Sequence, residues 1–331
     1  MKAICVTASR ELEVREVPTP NEASPGHVLI DMDGSAINPG DKAFLRMPTS
    51  AGNALQTGRH DVWGASGAGT VVGLGDGVPA HYMGKRVAIY RSLARTPEMI
   101  GLWCERAHMP YSSCVILPDD VRARDYCGSL VNVMTAYAFL EEIVETGHKG
   151  VIVTAGNSAT GHALAALSKA RDFPAIFLVR TEAAQATLNK LGAKHVIVTQ
   201  GAFTDVLAKL STELETTAVF EGVGGDFPGR IAPSLPMNST LYLYGFLAGP
   251  EPFSISSALV MMKNLTIRRF SNFASDTVSE PERRIAALEA LGRVIGGPAF
   301  ETRPGKEFRF DEIDAAMAYE SSHGAKAILV P

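Results

Sequence analysis

The sequence contains no closely spaced cysteine pair. Its four cysteines, Cys5, Cys104, Cys114 and Cys127, are scattered over 331 residues. Neither a structural zinc site nor a redox dithiol is signalled. They read as buried free thiols in a reducing compartment. The eight histidines are as dispersed; His60, His81, His108, His148, His162, His195 and His323 share no metal-ligand spacing. No run of lysine and arginine occurs. The net charge of −4 points away from nucleic acid and from an anionic membrane surface. No stretch approaches the roughly 20 apolar residues of a spanning helix. The first residues, MKAICVTA, read as a strand and not as a signal peptide. The expectation is a cytoplasmic protein with neither nucleic-acid nor membrane partners.

What is present is ordinary globular composition, 46% hydrophobic and 20% charged. The length exceeds what one core fills, so two domains are expected. To about residue 120 the chain is rich in strands and turns. Lys2–Thr7, Leu12–Val17, His27–Ile37, Ala68–Gly73, Arg86–Tyr90 and Cys114–Leu117 are the strand candidates, and helix patterns are nearly absent. Met47–Val62 is polar and long enough to suggest a binding loop.

From about Asp120 helices and strands alternate. Helix patterns cover Arg124–Val133 and Thr135–Glu142. Strands follow at Val151–Thr154, Ala175–Val179, His195–Val198, Thr217–Phe220, Leu241–Tyr244 and Leu265–Phe270. The helices between them fall near Gly161–Ala170, Glu182–Leu191, Ala202–Ser211, Pro228–Ala232 and Ser257–Lys263. Such alternation predicts parallel strands joined by right-handed crossovers, a doubly wound α/β sheet. The tail reads as helix Pro281–Ile295, strand Lys306–Phe310, helix Asp311–Glu320 capped by Asp311, and strand Ala327–Val330. It has no place in a finished six-strand sheet, so it is expected to pack on the first module. The domains so read are 1–122 with 266–331, and 123–265.

The informative stretch is Val151–Arg180. A buried β-branched strand enters Gly156, Asn157, Ser158, Ala159, Thr160 and Gly161. Their small side chains leave room for a diphosphate against the N–H groups that open the next helix. A structural α/β turn with no ligand is the alternative. Arg180 ends the second strand, where a ribose-reading side chain belongs. An acid there would repel a 2′-phosphate, whereas arginine attracts one, so NADPH is favoured over NADH. Thr181 can add a hydroxyl.

Eight segments stand in a telling order and spacing: GHVLIDMDGSAINPGDKAFLRM (26–47), GAGTVVGLGDGV (67–78), GLWCERAHMPYSSCVILPDDV (101–121), VNVMTAYAFL (131–140), AGNSATG (155–161), LGAKHVIVT (191–199), FEGVGG (220–225) and KNLTIRRF (263–270). Through them the chain resembles, over essentially its whole length, the medium-chain dehydrogenases/reductases, an alcohol dehydrogenase-like superfamily. The branch is that of zinc-free quinone oxidoreductases and enoyl reductases. The resemblance implies a GroES-like mainly-β domain beside a Rossmann domain, and a homodimer formed through the Leu265–Phe270 strand. Zinc-dependent members carry ligands where this chain has Asn38 and Gly64-Ala65-Ser66, so a zinc-bound alkoxide is not expected. A tyrosine common in the family is replaced near Thr49.

The resemblance also implies site residues. Asn132 and Thr135 would approach the nicotinamide end or the diphosphate, although Thr135 also suits a helix cap. Asn157, Ser158, Ala159 and Thr160 would line the diphosphate. Gly222, Gly224 and Gly225, then Tyr244-Gly245-Phe246, then Phe270, Ser271 and Asn272 follow successive strand ends. Lys326 matches a lysine that reaches the cofactor, or is a solvated lysine. Asn38 is a candidate donor to the acceptor's carbonyl oxygen, or a turn residue beside Pro39. Asp41 and Lys42 read as a surface ion pair.

The leading expectation is an NADPH-dependent enzyme that transfers hydride to a small quinone or α,β-unsaturated carbonyl. Donors aimed at that carbonyl would stabilise the enolate. An enoyl thioester reductase and a catalytically silent NADPH-binding protein are the alternatives. Met47–Val62 and Arg91–Ile100 would shape the acceptor pocket.

Overall fold

The computed structural model describes residues 1–46, 58–249, 251–320 and 324–331. Two units are distinguished: Met1–Met134 together with Glu280–Pro331, and Thr135–Ser279.

The first unit contains strands β1 (Lys2–Val6), β2 (Leu12–Glu16), β3 (His27–Ala36), β4 (Ser66–Leu74), β5 (Arg86–Tyr90), β6 (Arg106–Pro110) and β7 (Cys114–Ile116), with helix α1 (Pro39–Arg46) after β3. β1 and β2 form an antiparallel pair. The long strand β3 is the axis of the larger sheet. β4 lies along one edge of it. Along the other, β6 pairs with His27–Asp31 and the C-terminal strand β15 with Ser35 and Ala36. Gly69 of β4 is forced by this closeness, since a Cβ there would lie 2.1 Å from the Asp31 carbonyl oxygen. Val28, Ile30, Val71, Val87, Ile89, Leu102 and Met109 supply the apolar core.

Helix α2 (Ser129–Glu145) leads into the second unit. There the elements run β8 (Val151–Val153), α3 (Ala159–Ala170), β9 (Ala175–Val179), α4 (Glu182–Lys190), β10 (His195–Val198), α5 (Phe203–Glu213), β11 (Ala218–Glu221), α6 (Phe227–Ile231), β12 (Thr240–Leu243), α7 (Ser257–Met262), β13 (Thr266–Arg269) and α8 (Asp276–Ser279). The strands order as β10-β9-β8-β11-β12-β13, all parallel. β8, β9 and β11 are buried throughout, as parallel strands covered on both faces must be. The strand order reverses between β8 and β11, the place where such sheets bind ligands. Beneath it Phe139 stacks on Phe220 at 4.0 Å, with Tyr242 and Phe270 edge-on, both at 5.3 Å.

The remaining elements return to the first unit: α9 (Pro281–Gly292), β14 (Pro304–Arg309), α10 (Ile313–Ala318) and β15 (Lys326–Val330). β14 pairs parallel with β15, which joins the sheet through β3.

Several local expectations differ from the structure. The two helix patterns on either side of Met134 form one helix, because no Pro or Gly interrupts Ser129–Glu145. Residues 266–269 pair with β12 as the sixth parallel strand, so the second unit runs on to Ser279 and does not stop at 265. Asp311 does not cap α10. A short 3-10 turn over Phe310–Glu312 precedes that helix, and Glu312 accepts the Arg309 N–H at 2.9 Å. α1 and β6 escaped the sequence reading, one for its Pro-Gly start and the other for its histidine and terminal proline.

The aromatic cluster makes a measurable contribution. Phe139 is fully buried, and Phe139→Ala is expected to lower the unfolding free energy of the second unit by about 3–5 kcal/mol. Urea denaturation followed by far-UV circular dichroism measures this, and a loss below about 1 kcal/mol would contradict the packing described.

Candidate functional site

In the second unit the candidate site begins where β8 ends. Thr154 accepts the Gly222 N–H on its hydroxyl at 3.0 Å, tying the ends of β8 and β11 together. The chain then turns through Ala155–Ser158. Gly161 is required here, since a Cβ would lie 2.3 Å from the Gly156 carbonyl oxygen. Ser158 caps α3, its hydroxyl accepting from Gly161 N at 3.0 Å. His162 is buried and its Nε2 meets Asn157 Oδ1 at 2.9 Å, fixing that side chain. The N–H of Ala159, in the first turn of α3, finds no acceptor among the described residues. This is the arrangement that receives an anion at a helix N-terminus.

β11 and β12 supply the neighbouring groups. Glu221 is fully buried, and its Oε1 accepts from Val223 N and Gly224 N at 2.6 and 2.7 Å. Burial raises its pKa, opposed by those amides and by Thr154. Tyr244 stacks on Phe220 at 3.7 Å and covers Gly222, where a Cβ would lie 2.6 Å from its hydroxyl. Burial raises the pKa of this hydroxyl, and Ser158 opposes the rise. Both the Tyr244 hydroxyl and Glu221 Oε2 are buried without a partner at hydrogen-bond geometry among the described residues. Orphaned polar atoms at the ends of β11 and β12, beside a turn where Gly161 leaves no room for a Cβ, fit a polar ligand such as a dinucleotide.

Arg180 is exposed at the end of β9, and Thr181 caps α4 by accepting from Ala184 N at 3.2 Å. Thr135 is not a cap: it lies inside α2 and accepts from Asn272 Nδ2 at 2.9 Å. Phe270 is buried and its ring packs in the aromatic cluster. The Ser271 carbonyl accepts from Ala274 N and Ser275 N. Gly245 packs against Gly222, and Phe246 is exposed. Asn132 donates to the Gly128 carbonyl at 2.6 Å. Thr49 lies outside the described residues.

The first unit holds a second buried polar cluster. Lys326, at the start of β15, donates to Asn38 Oδ1 at 2.7 Å and to the Gly128 carbonyl at 3.1 Å. Asn38 Nδ2 donates to Asp41 Oδ2 at 3.0 Å and Ser66 Oγ at 2.8 Å. A donor-only lysine and an acceptor carboxylate fix which way the amide points. Asp41 also accepts from Asn38 N at 2.8 Å and Ala65 N at 3.1 Å. Gly128 leaves the space, since a Cβ there would lie 3.0 Å from Lys326 Nζ.

Three expectations change here. Asn38 has its amide donors committed inside the protein, so it orients Lys326 and has none left for a substrate oxygen. Asp41 is buried and caps α1 rather than pairing with Lys42, whose Nζ donates to the Tyr319 carbonyl at 2.9 Å. Lys326 is buried, not solvated. Ser66 and Gly128 were missed. Ser66 meets Asn38, 28 residues away, and Gly128 meets a lysine far along the chain; no local spacing signals either.

Burial pushes the Lys326 pKa down from 10.5 to about 8, with Cys127 and Asp41 opposing the fall. The unfolded chain therefore holds the extra proton between those two values. The stability contribution of Lys326 must rise with pH across this window. The difference in unfolding free energy between the native chain and Lys326→Met is expected to grow there by at most about 1.4 kcal/mol per pH unit. Urea titrations at a series of pH values measure it, and a flat difference would contradict a neutralisable buried amine.

No family model matches the sequence. The synaptic vesicle membrane protein VAT-1 homolog of Rattus norvegicus is 26% identical over 292 residues, spanning 81% of this chain and 69% of that protein. A Bacillus thuringiensis protein described as an NADPH:quinone reductase superposes with a TM-score of 0.79 at 22% identity, over 100% of this chain and 98% of its own. The quinone oxidoreductase of Escherichia coli, solved in complex with NADPH, superposes with a TM-score of 0.73 at 17% identity, over 100% of this chain and 99% of its own. The likeness extends from end to end and is a likeness of fold. The chain has the medium-chain dehydrogenase/reductase fold, a doubly wound parallel sheet of Rossmann type together with a GroES-like mainly-β part.

Proposed function

We propose that this chain is a zinc-independent, NADPH-dependent oxidoreductase that delivers hydride to a quinone or an α,β-unsaturated carbonyl. The observation that supports it best is the Ala155–Gly161 turn, with a buried Tyr244 hydroxyl and Glu221 carboxyl oxygen at the neighbouring strand ends that have no partner at hydrogen-bond geometry among the described residues. In this reading Ser158, Ala159 and Thr160 hold the diphosphate, and Asn157 is kept in place by His162. Arg180, with Thr181, takes the 2′-phosphate. Gly222, Tyr244, Gly245 and Phe246 line the middle of the dinucleotide, and Asn132, Thr135 and Ser271 its nicotinamide end. Bound NADPH supplies the hydride. Lys326 keeps the cofactor-facing role that the family resemblance implies. With a pKa of about 8 it holds a transferable proton on Nζ near neutral pH. Asn38 and Gly128 orient that amine.

The solved structures named above support this reading by their fold, and that of Escherichia coli also by the NADPH in its complex. Arg180 supports the choice of NADPH: it is exposed, and its guanidinium makes no hydrogen bond or ion pair among the described residues. Arg180→Ala is expected to weaken NADPH binding about 10–100-fold, the worth of one or two charge-assisted hydrogen bonds, and to leave NADH binding nearly unchanged. Fluorescence titration with both nucleotides reads this out. Turnover of NADPH with small quinones or enones, unaffected by chelators, is expected from the same preparation. Tight binding without turnover across an acceptor panel would favour the silent-binder alternative.

A homodimer belongs to the same proposal. β13 is the last strand of its sheet and all four of its residues are exposed, so Leu265–Phe270 offers an unpaired edge. Light scattering is expected to give twice the chain mass, and Ile267→Pro to give a single chain.

A further inference from the structure

Two histidines of the first unit are stacked ring on ring. His27 of β3 and His108 of β6 have centroids 4.7 Å apart and planes within 8°. They are 6% and 2% exposed. Each ring clamps two separate segments of chain. His108 accepts the Ser24 N–H on Nε2 at 3.0 Å and meets the Glu98 carbonyl through Nδ1 at 2.8 Å. His27 meets the Pro25 carbonyl through Nδ1 at 2.8 Å and the Thr96 hydroxyl through Nε2 at 2.7 Å.

Those partners dictate the protonation states. A backbone N–H can only donate and a carbonyl can only accept. His108 must therefore be neutral, with its proton on Nδ1. A proton added at Nε2 would set N–H against N–H and break the bond to Ser24. His27 differs. Its Nδ1 already donates, and Nε2 faces a hydroxyl that either donates or accepts. A proton on His27 costs no bond, only a turn of the Thr96 hydroxyl. It would, however, place a cation face to face with His108.

We propose that the His27–His108 stack is an acid-released latch that ties the Ser24–Gly26 turn and the Thr96–Met99 segment to β3 and β6. Protonation of His108 at Nε2 is the releasing event. The release propagates, because Met99 accepts the Arg59 N–H at 2.8 Å and Ile100 donates to the His108 carbonyl at 3.0 Å. Arg59 and Ile100 are thus held by the same clamp. The charges that act on the His108 ring are His27 and Arg59, which disfavour its cation, and Glu98, which favours it. Glu22, Asp76 and Arg95 are the further charged residues on the flanking segments. Burial is the largest influence and holds His108 below the ordinary histidine range. The unfolded chain therefore binds more protons just below pH 6.5, and stability falls as pH drops through that region.

Hydrogen exchange of the full chain, with rates corrected for the intrinsic effect of pH, tests the latch. Between pH 7.5 and pH 4.5, peptides covering residues 20–27 and 94–100 are expected to lose protection by about tenfold or more, the loss of at least one hydrogen bond. Peptides from β8–β13 should keep theirs. His27→Gln retains an amide for Thr96 and removes the opposing cation, so its midpoint should move to higher pH. His108→Gln should abolish the pH dependence. Should either variant fail to fold, nitrogen-15 shifts of the native His108 ring decide the matter: the Nδ1–H form near pH 7.5 is expected. An Nε2–H form, unchanged protection in the two segments, or an equal loss throughout the chain would overturn the proposal.

Discussion

Both edges of β3 are taken, and the first unit depends on that. β4 occupies one side. β6 and β15 divide the other between them. A strand of mainly buried residues must satisfy its backbone somewhere, and here three neighbours do so. Position along β3 then sorts what its ends carry. Its start brings His27 against His108. Its end delivers Ala36, and two residues later Asn38, to the start of β15. The two polar clusters of this unit are thus placed by the register of one strand.

The candidate site shows how buried polar groups are kept in place. Asn38, Asp41, Ser66 and Lys326 form one connected set of hydrogen bonds. Such a network is rigid because leaving any member unpaired costs about 1–3 kcal/mol. The groups around the Ala155–Gly161 turn are different. Thr154, Ser158 and His162 are satisfied, whereas Tyr244 and Glu221 each keep one atom without a partner at hydrogen-bond geometry among the described residues.

The second unit was legible in the sequence because its strands are short, wholly apolar runs separated by helical patterns and small-residue turns. Burial on both faces leaves that signature. Gly156 and Gly161 were legible for the same kind of reason, since the close approach they permit is local. Other features were not. β6 carries a histidine and ends in proline, so it lacks the pattern of a strand. α2 was split at Met134 although nothing in its residues breaks a helix. The part played by Asn38 could not be read from Asn38-Pro39-Gly40-Asp41. Its amide hydrogens go to Asp41 and Ser66, and its carbonyl oxygen receives Lys326, 288 residues away. Likewise the exposed-looking Asp41 and Lys42 have unrelated partners once the chain is folded.

That separation has a consequence for synthesis on the ribosome. All strands of the parallel sheet are made before β15, so the second unit can close while the first still lacks a neighbour along the end of β3. Until the last segment emerges, Asn38 and Gly128 have no ammonium to receive and Ser35 and Ala36 have no partner strand. An exposed strand end of this kind invites pairing with other chains. The nascent protein is most vulnerable in the interval between completing its parallel sheet and placing Lys326, and chaperone holding would matter most there.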